Sequence, residues 1–289
     1  MVSVLMTAYN REQFIGEAIE SVLASDYADF ELIIVDDGSK DNTINIAKHY
    51  EQQDKRIRVY INETNLGDYP NRNKATTYAQ GEFIMFVDSD DRIYPDSIAY
   101  CVSNMQNNPQ ANFGMLTHLP LQNPKWFNPA EAIHNHFFKK PFLSIGPGGT
   151  IIKRVFFEEI GRYPVRFGPA NDMYFNLKAA AEGGVLIMPY HFLYYRIHEG
   201  QEINDKYSYL YLNYNYLNAA LEELNLPLND QQKNWIRNKN KKRFLVNIVR
   251  YYYKTRNWGN TMMAVGKAGF GVKDAFKAIF HKELSKTTN

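Results

Sequence analysis

The stretch Glu82-Phe83-Ile84-Met85-Phe86-Val87-Asp88-Ser89-Asp90-Asp91 constrains the fold more than any other part of the chain. Phe83 to Val87 is an unbroken apolar run that follows Gly81 and stops at three carboxylates within four positions. So short and complete a run fits a strand covered on both faces, as in parallel sheets flanked by helices. Carboxylates crowded at its end repel one another, so a positive group must compensate them. In an extended segment Asp88 and Asp90 project to one side while Ser89 and Asp91 face the other. That arrangement suits oxygen ligation of Mg²⁺ or Mn²⁺. It also suits an acidic turn that starts the next helix, a role open to Asp91 or Asp96.

The chain before this stretch repeats one pattern. Val2 to Met6 reads as a strand, followed by Thr7-Ala8-Tyr9-Asn10. Asn10 is a good helix cap, with Gln13 three residues on as in a capping box. Ile15, Ala18, Ile19 and Val22 then recur at helical spacing. Phe30 to Val35 is a second strand that stops at Asp36-Asp37-Gly38-Ser39, and Asp41-Asn42-Thr43 opens a helix to Gln53. Ile57 to Ile61 gives a third strand and Tyr69 to Gln80 a third helix. Alternation at this spacing predicts an α/β fold with a mostly parallel, Rossmann-like sheet. Such sheets bind ligands beyond the carboxyl ends of their strands. Three of the four strands end there in Tyr9-Asn10, Asp36-Asp37 and Asp88-Ser89-Asp90. Each could be a mere turn, but a shared site explains all three at once. No Gly-x-Gly-x-x-Gly follows the first strand and no Walker A lysine loop is present, which argues against a dehydrogenase and a P-loop nucleotidase.

Thr7-Ala8-Tyr9-Asn10, Val35-Asp36-Asp37-Gly38-Ser39, Asn65-Leu66-Gly67, Arg72-Asn73-Lys74-Ala75, Gly81-Glu82-Phe83-Ile84 and Val87-Asp88-Ser89-Asp90-Asp91 stand in the order and spacing of family 2 glycosyltransferases. The resemblance covers roughly residues 1–200. It implies the GT-A fold, a nucleotide-sugar donor, a divalent cation and inversion at the anomeric carbon. On the donor side it implies Thr7, Ala8, Tyr9 and Asn10, with Tyr9 stacking on or flanking the base. It puts the base-recognition carboxylate on Asp36, Arg72 and Asn73 beside the nucleotide, and Asp88 and Ser89 near the donor. The metal falls to Asp90 and Asp88. Asp68-Tyr69-Pro70-Asn71 stands before Arg72 where the family usually carries small residues.

Beyond residue 91 the pattern is weaker. Pro95 to Asn107 reads as a helix with Ile98, Val102 and Met105 on one face. Lys125-Trp126-Phe127 and His134-Asn135-His136-Phe137-Phe138 are aromatic and irregular. The two histidines invite a metal reading, but positions i and i+2 of a helix point apart, which favours surface or core histidines. In the resembled family this region binds the acceptor, so exposed aromatics here are expected to stack on sugar rings. Gly146-Pro147-Gly148-Gly149-Thr150 reads as close backbone approach to a ligand, or as a turn into an edge strand at Ile151-Ile152. In the family an acidic pair then opens a helix beside the acceptor, its second member being the general base. Here the pair reads Asn171-Asp172, and the resemblance gives Asp172 that role. A helix-start charge is the alternative. Arg196-Ile197-His198 matches an Arg-x-His element, which implies His198 near the metal or diphosphate.

Charge divides the chain. Residues 231–289 hold 14 Lys and Arg against 2 Asp and Glu, a net +12. The whole chain is +2, which leaves −10 for residues 1–230. Residues 206–226 read as a helix, and Pro227-Leu228-Asn229-Asp230 ends it and caps the next. Leu245, Ile248, Val249 and Tyr252 form an apolar stripe there, and Met262 to Phe280 continues the mix of apolar and basic residues. Basic amphipathic helices lie in membrane interfaces, or pack on a body with their charges solvated. The acidic body disfavours nucleic acid as a partner.

The expected organisation is a catalytic domain over residues 1–205, divided into a nucleotide half (1–91) and an acceptor half (92–205). A basic helical C-terminal extension follows over 206–289. The single Cys101 fits a reducing compartment, and the N-terminus carries no signal-peptide pattern. The expected location is cytoplasmic, peripheral at the inner face of the membrane. The expected reaction is metal-dependent transfer of a sugar, from a UDP-sugar by preference, to a hydroxyl of a glycan or lipid-linked acceptor in cell-surface polysaccharide synthesis. The rivals are a sugar-nucleotide nucleotidyltransferase and a non-catalytic nucleotide-sugar or glycan-binding module.

Overall fold

The computed structural model describes residues 1–189, 191–197 and 207–280. Strand and helix alternate through β1 (Val2–Ala8), α1 (Ile15–Leu23), β2 (Phe30–Asp36), α2 (Thr43–Gln53), β3 (Ile57–Ile61), α3 (Asp68–Thr76) and β4 (Phe83–Phe86). Then come β5 (Arg92–Ile93), α4 (Ser97–Asn107), β6 (Phe113–Leu116), β7 (Lys125–Phe127), α5 (Pro129–Phe138), β8 (Thr150–Lys153), α6 (Arg154–Glu159), α7 (Asn171–Gly183), β9 (Val185–Met188) and β10 (Leu193–Tyr194). The C-terminal region is helical: α8 (Ser208–Glu223), α9 (Asp230–Thr255), α10 (Trp258–Lys267) and α11 (Val272–Ile279).

Eight strands form one sheet in the order β3-β2-β1-β4-β8-β6-β9-β7. Four of its seven pairings are parallel, and the antiparallel ones are made by β8 and β7. The chain moves outward from β1 to β3, then returns to place β4 on the other side of β1. That reversal opens the crevice at the carboxyl ends of β1, β2 and β4, where ligands bind in such sheets. β5 and β10 pair apart from the main sheet, Ile93 opposite Leu193.

The apolar runs are explained by two cores, one on each side. Leu5, Ile33, Val35, Ile84 and Phe86 enter one cluster, with residues of α5, α6 and α7. Val4, Met6, Leu32, Ile34 and Met85 enter the other, against α1 and α4. Alternate residues serve opposite faces, so both must be apolar. Gly81 opens β4 because β1 runs very close: a Cβ there would stand 2.5 Å from the Ser3 nitrogen.

Several sequence expectations need correction. Asn10 does not cap α1. It has a left-handed backbone (φ 51°) and α1 begins only at Ile15. Its amide donates to Ser39 Oγ (2.8 Å) and its Oδ1 accepts from Lys40 N (2.9 Å), so it ties the β1 loop to the β2 loop. β8 is not an edge strand but lies between β4 and β6, and the glycines before it allow tight packing there. Lys125-Trp126-Phe127 is the edge strand β7, with Phe127 buried beside Phe142, so it is not an open sugar platform.

The C-terminal helices continue the body. Leu217, Leu221, Leu224, Leu226 and Ile236 join the same core cluster as β4. Asn229 caps α9 in a capping box with Gln232, as the sequence suggested. The buried face of α9 differs from the expected stripe: it is Ile236, Asn240, Phe244 and Ile248, while Val249 is 46% exposed. The polar Asn240 belongs to it because its Nδ2 donates to Tyr214 O (3.0 Å) and Asn218 Oδ1 (3.2 Å). Among the described residues no helix is long and apolar enough to cross a membrane.

Candidate active site

A cleft of about 780 Å³ lies over the strand ends. Thr7, Ala8 and Tyr9 line it from β1, Asp37 from β2, and Asp88, Ser89 and Asp90 from β4. Arg72 and Asp68 of α3 form one wall, and Asp172 at the start of α7 faces in beside Gly146. Tyr9 is 44% exposed, an open aromatic face at the rim.

Carboxylate oxygens of Asp88, Asp90 and Asp91 lie within 4.8 Å of one another. Their repulsion is met by two arginines. Arg11 Nε lies 3.1 Å from Asp90 Oδ2, while its Nη1 donates to the carbonyls of Tyr9 and Asn10. Arg72 is almost buried, its guanidinium over the rings of Tyr69 and Phe86. Its Nε donates to Asp68 Oδ1 (2.8 Å), and Nη1 makes an ion pair with Asp88 Oδ1 (2.7 Å) that lacks hydrogen-bond alignment. Asp91 is buried and its Oδ1 accepts from Arg196 N (2.9 Å). Burial, and next the charge of Asp88, push its carboxyl up to about 7, against the pull of the Arg196 amide. Hard oxygens held this close, one of them reluctant to ionise, fit a divalent cation, whose charge would reverse that reluctance. Asp88 and Asp90, which line the cleft, are the residues to hold it. His198 lies outside the described residues.

Ser89 lines the cleft, but its hydroxyl is turned back to donate to Thr7 O (2.8 Å), locking β4 to β1. Three expected donor residues stand elsewhere. Asp36 is 1% exposed and does not reach the cleft: its Oδ1 accepts from Gly38 N (3.0 Å) and Ser39 N (2.8 Å), and its Oδ2 from Ser39 Oγ (2.5 Å). It closes the turn in which Gly38 takes φ 80°. Asn73 is turned away, donating to Tyr163 O (2.9 Å) and accepting from Tyr163 N (3.1 Å), and it clamps α3 to the strand-distal loop. Asn10 serves the loop tie described above. The carboxylate that reaches the cleft from β2 is Asp37, which also accepts from Asn62 Nδ2 (2.7 Å), Leu66 N (2.9 Å) and Gly67 N (2.9 Å).

Asp172 sits in the first turn of α7, mostly buried, and its Oδ1 accepts from Met173 N (2.6 Å). A Cβ at Gly146 would stand 3.8 Å from Asp172 Oδ2, so the glycine leaves that oxygen room. Asn171, where the resembled family has an acid, is buried, and its Oδ1 accepts from Phe167 N (2.9 Å). It shapes the approach to the helix. His134 is exposed with its ring tilted against Phe138, while His136 Nδ1 accepts from Phe142 N and Leu143 N, a structural role.

The family model for Glycosyl transferase family 2 matches residues 3–161, more than half of the chain. The chain belongs to that family. This family 2 member is 42% identical over 98 residues to the putative teichuronic acid biosynthesis glycosyltransferase TuaG of Bacillus subtilis, covering 34% of this chain and 39% of that protein. It is 42% identical over 108 residues to WfgD of Escherichia coli, a UDP-Glc:alpha-D-GlcNAc-diphosphoundecaprenol beta-1,3-glucosyltransferase, covering 37% and 42%. The chain thus spans about two fifths of the length of these relatives. Among solved structures, residues 1–349 of S. aureus TarS with UDP-GlcNAc align with a TM-score of 0.73 at 21% identity, covering 92% of this chain and 80% of that one. The mannosyltransferase PcManGT of Pyrobaculum calidifontis, with GDP-Man and Mn²⁺, aligns at 0.65 with 14% identity, covering 98% and 88%. These likenesses establish the fold, the GT-A type that the motifs implied.

Arg11, Asp68, His118, Tyr195 and Tyr209 also line the cleft without a role assigned from sequence, and Asp37 lines it where the sequence marked only the Asp36-Asp37 strand end. Asp37 had a signal, its place beside Asp36. His118 and Tyr209 had none, since they reach the cleft only through tertiary packing.

Proposed function

We propose that this cleft moves a sugar from a UDP-sugar to a hydroxyl of a glycan or lipid-linked acceptor in cell-surface polysaccharide synthesis, with inversion at the anomeric carbon. One observation carries the reading: Asp88 and Asp90 of the acidic cluster at the β1/β4 switch point share a single cleft with Asp172 in a family 2 chain. Tyr9 offers its open face to the base. Asp37 is the candidate acceptor for the base imide: a carboxylate takes about four hydrogen bonds and three are in use, which leaves room on Oδ2.

Asp172 takes the proton of the acceptor hydroxyl as its oxygen attacks the anomeric carbon. The bond from that carbon to the diphosphate oxygen breaks on the opposite side and the nucleoside diphosphate leaves. Asp88 and Asp90 would hold a divalent cation, which would supply Lewis-acid neutralisation of the diphosphate charge. Arg72, fixed by Asp68 in the same wall of the cleft, holds Asp88 in place. Residues 1–205 supply the reacting groups in this reading, with Tyr209 of α8 added to the cleft wall, and the lipid-linked acceptor named for WfgD supports work at a membrane face.

A thermal-shift panel of nucleotide sugars with and without Mn²⁺ tests the donor. A ligand at 100 times its Kd stabilises by about 2.7 kcal/mol. At roughly 2–4 °C per kcal/mol, the true donor raises Tm by about 5–10 °C. A UDP-sugar is expected to do so only with the ion. A larger shift from a GDP- or CDP-sugar would replace the nucleotide, and no shift from any would remove the donor site.

A further inference from the structure

The C-terminal helices leave an unusual surface uncovered. α11 packs on α9 with Ala278 buried, and Lys241 Nζ lies 2.9 Å from Asp274 Oδ1. On the outer side Val272, Phe276, Ile279 and Phe280 are 88%, 64%, 65% and 66% exposed. Their spacing of i, i+4, i+7 and i+8 makes one apolar stripe, and Phe276 and Phe280 pack ring to ring at 4.5 Å. Lys273 and Lys277 flank it, both exposed. Trp258, Met262 and Met263 on α10 are also open to solvent. Scattered apolar residues are ordinary on a surface, but large ones aligned along a basic helix mark an interaction site.

We infer that the outer face of α11, with the basic C-terminal helices around it, is a docking surface for an anionic lipid bilayer. Charge selects this occupant. A second copy docking through the same face would oppose Lys273 and Lys277 to themselves, within tails of +12 each. An anionic bilayer matches that charge, while the body at −10 is repelled and turned away from the lipid. The stripe would enter the headgroup boundary and the lysines would remain at the phosphates. Tyr209 of α8 lines the cleft, and α8 is tied to the tail by Asn215 Nδ2 donating to Lys267 O (3.1 Å) and by Asn240 Nδ2 donating to Tyr214 O (3.0 Å). The docked tail is thus joined to a wall of the cleft through α8. The lipid-linked acceptor proposed above gives such docking a purpose, but the surface argument does not need it, and the test uses neither donor nor acceptor.

The test is co-sedimentation of the full chain with vesicles of phosphatidylcholine mixed with phosphatidylglycerol, and with vesicles of phosphatidylcholine alone. Binding is expected on the anionic vesicles and to weaken with salt. Lys273→Glu and Lys277→Glu should each weaken partitioning at least about fivefold. Phe276→Glu should weaken it by about tenfold or more, and Phe276→Trp should retain it with a blue-shifted emission on binding. All three positions of change lie on the surface, so an unchanged Tm verifies the fold of each of the four variants. Equal binding to both vesicles, or anionic binding untouched by the variants, overturns the assignment. So does a concentration-dependent oligomer that Phe276→Glu dissolves without any vesicle binding, which would give the face to another copy of the chain.

Discussion

Asp36→Ala separates the structural placement of this residue from the donor role implied by the family resemblance. The wild-type carboxylate accepts from Gly38 N, Ser39 N and Ser39 Oγ within a turn that is closed to solvent. Hydrogen bonds to a charged group contribute roughly 1.5–3 kcal/mol each. Truncation removes three and leaves the turn amides to find water, so a net loss of about 3–5 kcal/mol is expected. For a domain of this size that lowers Tm by roughly 10 °C. Because Asp36 does not reach the cleft, UDP affinity measured by titration calorimetry well below Tm should change by less than about threefold. Asp36→Asn, which keeps one acceptor oxygen, should lose about half as much stability. An unchanged Tm together with lost UDP affinity would refute the placement and restore Asp36 as the base-reading carboxylate.

Asp172→Asn should leave UDP-sugar binding near normal while turnover falls by roughly 10² or more, the range of a positioned base; lost donor affinity with persisting turnover of bound donor would move Asp172 to donor binding. His136 should destabilise the fold in acid. Burial, then the charges of Lys239 and Arg243, lower its imidazole from 6.5 to about 4. The unfolded chain therefore takes up a proton below about pH 6.5 that the folded chain refuses until about pH 4, and stability falls with pH through that window by up to about 3 kcal/mol. His136→Asn should flatten that slope in urea melts taken between pH 4 and 7, and an identical slope would discount the histidine.

The nucleotide half was readable because its strands are buried on both faces and so appear as apolar runs such as Phe83 to Val87. The same burial hid which of Asp36 and Asp37 faces the cleft, because a strand apolar on both sides carries no alternation. The second half was harder. β6 is four residues long with Gly114 in its interior, and a Cβ there would stand 2.9 Å from Ile151 Cγ2. β8 inserts between β4 and β6 from far along the chain, which no local pattern signals. In α9 the buried Asn240 shifted the packing face from the one hydropathy indicated, because its place is set by a carbonyl on α8. Asp88 and Asp90 stood out as charge at a strand end, whereas Asp172 was singled out through the family resemblance. Arg11 and Arg72, which hold two of those carboxylates, show their partners only in three dimensions.

The most direct test of the account is donor turnover, read as release of UDP from a UDP-sugar, by the wild-type chain and by Asp90→Ala. Each is assayed with Mn²⁺ and again after chelation. Release by the wild-type chain should require the ion, and Asp90→Ala should abolish it while retaining its fold by circular dichroism. Full turnover by Asp90→Ala with Mn²⁺, or by the wild-type chain after chelation, would contradict a cation-assisted transfer built on the Asp88–Asp90 end of β4.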